Sequence, residues 1–104
     1  MLAPCRSADI KRIFVRGKKI DTPYFRLWRL DKKDRGFRAV VICSRKVDKR
    51  ATRRNLLKRR MREIFRRDVH PRLPTSDIIV ECKPSMKNIP FATLKKELLC
   101  VLHL

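Results

Sequence analysis

The chemistry in this chain is concentrated between Lys49 and Arg67, in the stretch KRATRRNLLKRRMREIFRR, where ten side chains are Lys or Arg and one, Glu63, is an acid. Coiled as an α-helix at about 100° per residue, Asn55, Lys58, Arg59, Arg62 and Arg66 recur at i, i+3, i+4, i+7 and i+11. They would project from one ridge roughly 16 Å long. Four cations in a row repel one another, and phosphates laid along them remove that cost while releasing condensed counterions. Arginine dominates, which suits bidentate contacts to phosphate oxygens and stacking on exposed bases. Asn55 adds a donor and an acceptor able to meet a sugar hydroxyl or a base edge. On the same wheel Leu57, Met61, Ile64 and Phe65 share an arc of about 100°, a compact apolar face for a core.

A second candidate surface lies on YFRLWRL, residues 24–30. Strand alternation places Tyr24, Arg26 and Trp28 on one side and Phe25, Leu27 and Arg29 on the other. Two aromatics flanking a cation could stack single-stranded bases, each worth ~1–3 kcal/mol. Core packing explains Trp28 equally well at this level.

Bond-breaking chemistry has no visible carrier. The ten acids are scattered without the spacing of an acid and base pair or a metal clamp. His70 beside Pro71 and His103 in the terminal segment read as surface or packing residues. Gly17 and Gly36 are the two glycines, so no phosphate-cradling loop is encoded.

The whole composition points the same way. The 104 residues carry 29 Lys and Arg against 10 Asp and Glu, a formal charge of +19, which calls for a polyanionic partner. Residues 68–104 hold five bases and four acids and include the apolar runs DIIV and LKKELLCVLHL. Such asymmetry favours a folded body with a defined basic surface, expected to be one domain over residues 1–104. Cys5, Cys43, Cys82 and Cys100 form no close pair suited to a metal and read as reduced thiols. With no apolar run near the ~18 residues needed to span a bilayer and no apolar leader, a cytoplasmic protein is expected.

The elements that must position these groups follow from punctuation and periodicity. Ser7, Asp9 and the apolar Ile10, Ile13 and Phe14 predict a capped helix over 8–16, ended by Gly17. YFRLWRL and FRAVVICS predict two strands joined as an antiparallel hairpin through DKKDRG. The basic helix follows, ended by HPRLPTS. DIIVECK is a third strand, and PFATLKKELLCVLHL a closing helix with Pro90 in its first turn. The order predicts an α+β sandwich with helices packed on a small sheet, with a right-handed crossover as the usual prior for parallel neighbours.

The pattern Arg54-Asn55, Lys58-Arg59, Arg62-Glu63 and Phe65-Arg66 resembles the Arg-Asn-Arg signature helix of the bacterial ribonuclease P protein family. DIKRIFVRGKKI resembles the family's first helix, YFRLWRL and FRAVVICSRKV its sheet strands, and LPTSDIIVECKP with ATLKKELL its closing strand and helix. Leu56 stands where the family usually has arginine, Arg53 and Arg60 add cations, and Asp48 stands where glycine is frequent.

The resemblance implies a small two-layer sandwich of the ribosomal-protein-S5-domain-2-like type with a left-handed βαβ crossover. It also implies a protein subunit that promotes endonucleolytic removal of the 5′ leader from precursor tRNA. The implied RNA-binding set is Arg54, Asn55, Lys58, Arg59, Arg62 and Arg66, with Arg45, Lys46 and Arg50 upstream. The implied leader cleft holds Phe14, Trp28, Tyr24 and Arg26, with Ile10 where an aromatic is frequent. Catalysis would reside in the RNA subunit, with Mg2+ bound mainly by RNA, no metal or catalytic residue of the protein's own, no membrane partner and a monomeric protein. The competing expectations are a ribosomal or RNA-assembly protein with a structural role, and, more weakly, a DNA-binding module. A helix-turn-helix reader needs a partner helix just before the basic one, and a strand is predicted there.

Overall fold

A computed structural model describes residues 7–31, 36–72 and 75–103 of the chain. Helix α1 (Ser7–Arg16) leads into strand β1 (Lys18–Asp21), followed by β2 (Phe25–Asp31), β3 (Arg38–Ile42), α2 (Ala51–Ile64), β4 (Ser76–Cys82) and α3 (Phe91–Val101). A π-helical turn, Phe65–Val69, extends α2, and a 3-10 turn, Pro84–Asn88, precedes α3. Most of the DKKDRG connection and Cys5 lie outside the described residues; Ser7 and Asp9 fall in the first turns of α1, where the backbone alone is described.

The sheet order is β1-β2-β4-β3, with β4 antiparallel to β2 and parallel to β3. This corrects the predicted β2-β3 hairpin, since β4 sits between those strands. The cause lies in DIIV: residues 76–80 are buried without alternation, and a strand apolar on both faces is stable only at the centre of a covered sheet. Strand β1 escaped prediction because KKID is a short, mostly exposed edge strand whose one apolar residue, Ile20, gives no alternation. The turn joining it to β2 is fixed by Thr22, whose hydroxyl accepts from the Phe25 amide at 3.0 Å and donates to the Phe25 carbonyl at 2.9 Å. Gly17 makes the preceding corner possible, because a Cβ there would strike the Ile13 carbonyl oxygen.

The principal core fills one face of the sheet. Phe25, Leu27, Val41, Ile78, Val80 and Cys82 meet Leu57, Met61, Ile64 and Phe65 of the α2 segment and Leu94 and Leu98 of α3. The apolar arc read from the sequence is thus the buried face of α2. Ile79 alternates to the other face; it and Ile13 are fully buried outside that cluster, and α1 packs there against β2 and β4. At the far end Pro90 occupies the N-cap position just before α3, one step outside the predicted first turn. His103, predicted within the terminal helix, lies beyond it at φ 59°, the left-handed conformation common after a helix end.

Candidate nucleic-acid interface

The segment between β3 and α2 sets the start of the basic helix. The Ser44 carbonyl accepts from the Val47 amide at 3.1 Å, leaving Arg45 and Lys46 exposed at the tip of the turn. Asp48 is buried, at 5% exposure. Its carboxylate accepts from the Arg50 backbone amide at 2.9 Å and from the Arg50 guanidinium at 3.2 Å, with the Lys87 ammonium 3.8 Å away. The hydrogen bonds from the Arg50 side chain, and then from its amide, pull the Asp48 pKa down to about 2. The aspartate at a position where glycine is frequent is therefore a clamp on the loop. Arg54, half-buried, donates from one guanidinium nitrogen to the carbonyls of Asp48 and Lys49, each at 3.0 Å, and ties the same loop to α2.

Helix α2 has no side-chain cap and no acid in its first turn. The positive end of its dipole coincides with Arg50, Arg53 and Arg54, a start that an external anion would stabilise. Along the outward face, Asn55, Arg59 and Arg62 are exposed and line a shallow groove with Thr52, Leu56 and the half-buried Lys58. Arg66 stands apart from this set. It meets Glu63 at 2.6 Å, as does Arg67, so the helix's one acid is shared by two arginines and its pKa is lowered, chiefly by the Arg66 hydrogen bond. Arg66 also lies at the start of the π-helical turn, whose Phe65 carbonyl accepts from the His70 amide at 2.8 Å, so the regular 3.6-residue period ends beside it. The predicted row is thus brought together at 55, 58, 59 and 62, with Arg66 exposed beyond it.

The second surface lies across the sheet. Strand register aligns Lys19, Trp28, Ile79 and Val40 in one row and Asp21, Arg26, Glu81 and Ile42 in the next, all on the α1 face. Phe14, 40% exposed, meets Trp28 edge-on with ring centroids 4.7 Å apart. The Lys19 ammonium stands 5.9 Å from the Trp28 ring. Arg26 lies between Glu81, at 3.5 Å, and Asp21, at 3.9 Å. Tyr24 departs from the predicted trio: it precedes β2 and packs against the principal core, so strand alternation does not apply to it. Val40 and Ile42, both half-buried, continue the surface across β3. Sequence reading missed them because the wrong hairpin put β3 beside β2.

Beside these rows Arg38, 12% exposed, makes a two-pronged contact at 2.9 and 2.8 Å with Asp77, whose side chain is fully buried. Among the described residues no three His, Cys, Asp or Glu side chains converge as metal ligands. Asp21 and Glu81 have the Arg26 guanidinium between them, so this donor set does not fit a dedicated divalent cation. Cys43 and Cys82 are buried free thiols whose pKa values are raised, mainly by burial, that of Cys82 to about 12. No helix among the described residues is long and apolar enough to cross a membrane.

The family model described as Ribonuclease P matches residues 5–103. The ribonuclease P protein component of Streptococcus mutans is 27% identical over 96 residues, covering 92% of this chain and 79% of that protein. The Staphylococcus aureus RNase P protein superposes with a TM-score of 0.81 at 28% identity, covering 96% of this chain and 91% of that one. The RNase P protein from Thermotoga maritima gives 0.78 at 33% identity, covering 90% of this chain and 88% of that one. With an extended match across nearly its whole length and the same mixed four-stranded architecture, the chain belongs to the ribonuclease P protein family.

Proposed function

We propose that this chain, the protein component of a ribonuclease P holoenzyme acting in tRNA 5′ maturation, docks on the ribonuclease P RNA through the outward face of α2. One observation carries the reading: Asn55, Lys58, Arg59 and Arg62 share a face opposite the core, and the helix's single acid is already taken up by Arg66 and Arg67. Phosphates are the partners that relieve this row. Arg45 and Lys46 extend it, while Arg50 and Arg54 shape the loop that presents it. The α1 face of the sheet, with Phe14, Trp28 and Arg26, takes the 5′ leader of precursor tRNA; Tyr24 supports the core behind it.

Hydrolysis belongs to the RNA in this account. Mg2+ is held mainly by RNA, and the protein's cations offset phosphate repulsion as substrate and metal assemble. A charge of +19 opposes self-association, so the protein acts as a monomer, in the cytoplasm where precursor tRNA is met. The family match disfavours a purely structural ribosomal role.

Reconstitution tests this reading. Added to ribonuclease P RNA at low magnesium, the protein accelerates cleavage of leader-bearing precursor tRNA. An unchanged rate across a range of salt would overturn it.

A further inference from the structure

The outward face of α2 is not its only cationic surface. Arg53, Leu56, Leu57 and Arg60 line a separate recess with Asp48, Arg50, Lys87 and Asn88, where the flank of α2 meets the 3-10 turn before α3. Leu57 and the half-buried Leu56 supply apolar lining, Asn88 an amide, and Arg53, Arg60 and Lys87 exposed positive charge. The one acid in the recess, Asp48, is engaged by Arg50 and lies 3.8 Å from Lys87. Arg53 and Arg60 have no carboxylate within ion-pair distance among the described residues.

At about 100° per residue, Arg53 and Arg60 lie roughly 150° around the helix from the mean direction of Asn55, Arg59 and Arg62. A strand running along the outward face does not reach them. Leu56 separates the two surfaces and lines both grooves, interrupting what an arginine at that position would make one continuous belt.

We infer that this recess is a second phosphate-binding site, which grips a backbone phosphate from an RNA segment other than the one on the outward face. The inference rests on the ribonuclease P reading above and goes beyond it, because it sets α2 between two RNA segments. A phosphodiester relieves the repulsion among Arg53, Arg60 and Lys87, and two guanidinium groups can each donate two parallel hydrogen bonds to its oxygens. The phosphate could come from the catalytic RNA or from precursor tRNA, which share this chemistry.

The test compares Arg53→Ala/Arg60→Ala with Arg59→Ala/Arg62→Ala. All four side chains are exposed and make no ion pair among the described residues, so both proteins should fold, and circular dichroism melts verify this. Hydroxyl-radical footprints are recorded on ribonuclease P RNA alone and on the holoenzyme with precursor tRNA, alongside affinity as a function of salt. The flank variant loses protection of one segment, keeps the segment lost by the outward-face variant, and shows a salt slope lower by about 0.7–0.9, the contribution of one phosphate. Arg53→Lys/Arg60→Lys restores the slope. Protection lost on ribonuclease P RNA alone identifies the catalytic RNA as the source; protection lost only on tRNA identifies the substrate. An unchanged footprint and slope, or loss of the same segment in both double variants, would overturn the second site. Wild-type protein that neither protects nor activates the RNA would refute the ribonuclease P reading itself.

Discussion

Removing two charges from the outward face of α2 is the perturbation with the most calculable consequence. Arg59 and Arg62 are exposed, make no ion pair among the described residues, and stand three apart on a helix already short of acids. Alanine is the best helix former, and relief of like-charge repulsion offsets lost side-chain packing, so Arg59→Ala/Arg62→Ala should change stability by no more than about 0.5 kcal/mol. If each arginine neutralises one phosphate, the slope of log affinity against log salt falls by about 1.4–1.8. Between 50 and 200 mM salt, wild-type affinity for ribonuclease P RNA should therefore drop about 7- to 12-fold more than the variant's. Filter binding across that range reads the difference. Arg66→Ala is the comparison: Arg66 is committed to Glu63, so its removal should lower the slope by less than either arginine of the pair. A double variant that folds normally and keeps the wild-type slope would refute the assignment of this face to RNA.

Three further outcomes follow from other parts of the structure. Trp28→Ala should weaken holoenzyme affinity for leader-bearing precursor tRNA by about 5- to 150-fold, the range of one lost stacking contact, while binding of mature tRNA is unaffected and Trp28→Phe retains part of the preference; equal loss for both substrates would return Trp28 to a packing role. Arg38→Ala leaves the fully buried Asp77 carboxylate without the two hydrogen bonds at 2.9 and 2.8 Å, and urea unfolding should show a loss of about 3–5 kcal/mol; a loss below about 1 kcal/mol would mean that Asp77 is satisfied without Arg38. Asp48, whose pKa falls from 3.8 to about 2 on folding, stabilises the fold fully above pH 4, and that contribution disappears as the pH falls through about 2. Wild type should thus be more stable than Asp48→Asn at pH 6, with the gap closing between pH 4 and pH 2; a pH-independent gap would assign the effect to packing.

What could be read from sequence was what local periodicity controls. Leu57, Met61, Ile64 and Phe65 declared the buried face of α2 because a helix repeats on a period its own residues carry. Strand pairing is non-local, and there the reading failed: DIIV, apolar on both faces, was the signal that β4 belonged at the sheet's centre, but adjacency in sequence suggested a β2-β3 hairpin instead. KKID gave no signal because an exposed edge strand needs no apolar alternation. Tyr24 was misplaced by extending strand alternation one residue into a turn, and a wheel that places Arg66 in the row does not show that Glu63 engages it. The Asp48, Arg50 and Arg54 clamp was invisible, since it depends on where a loop carbonyl and a buried carboxylate come to rest. The site's charge was therefore legible from the sequence. Its division into free, paired and loop-binding arginines required the fold.

The claim that the outward face of α2 meets ribonuclease P RNA is tested most directly by site-specific photo-crosslinking in the assembled holoenzyme. A photoreactive side chain replacing Asn55 should crosslink to that RNA, while one replacing Lys96, exposed on α3, should not. Crosslinking from position 96 with none from position 55 would contradict the account.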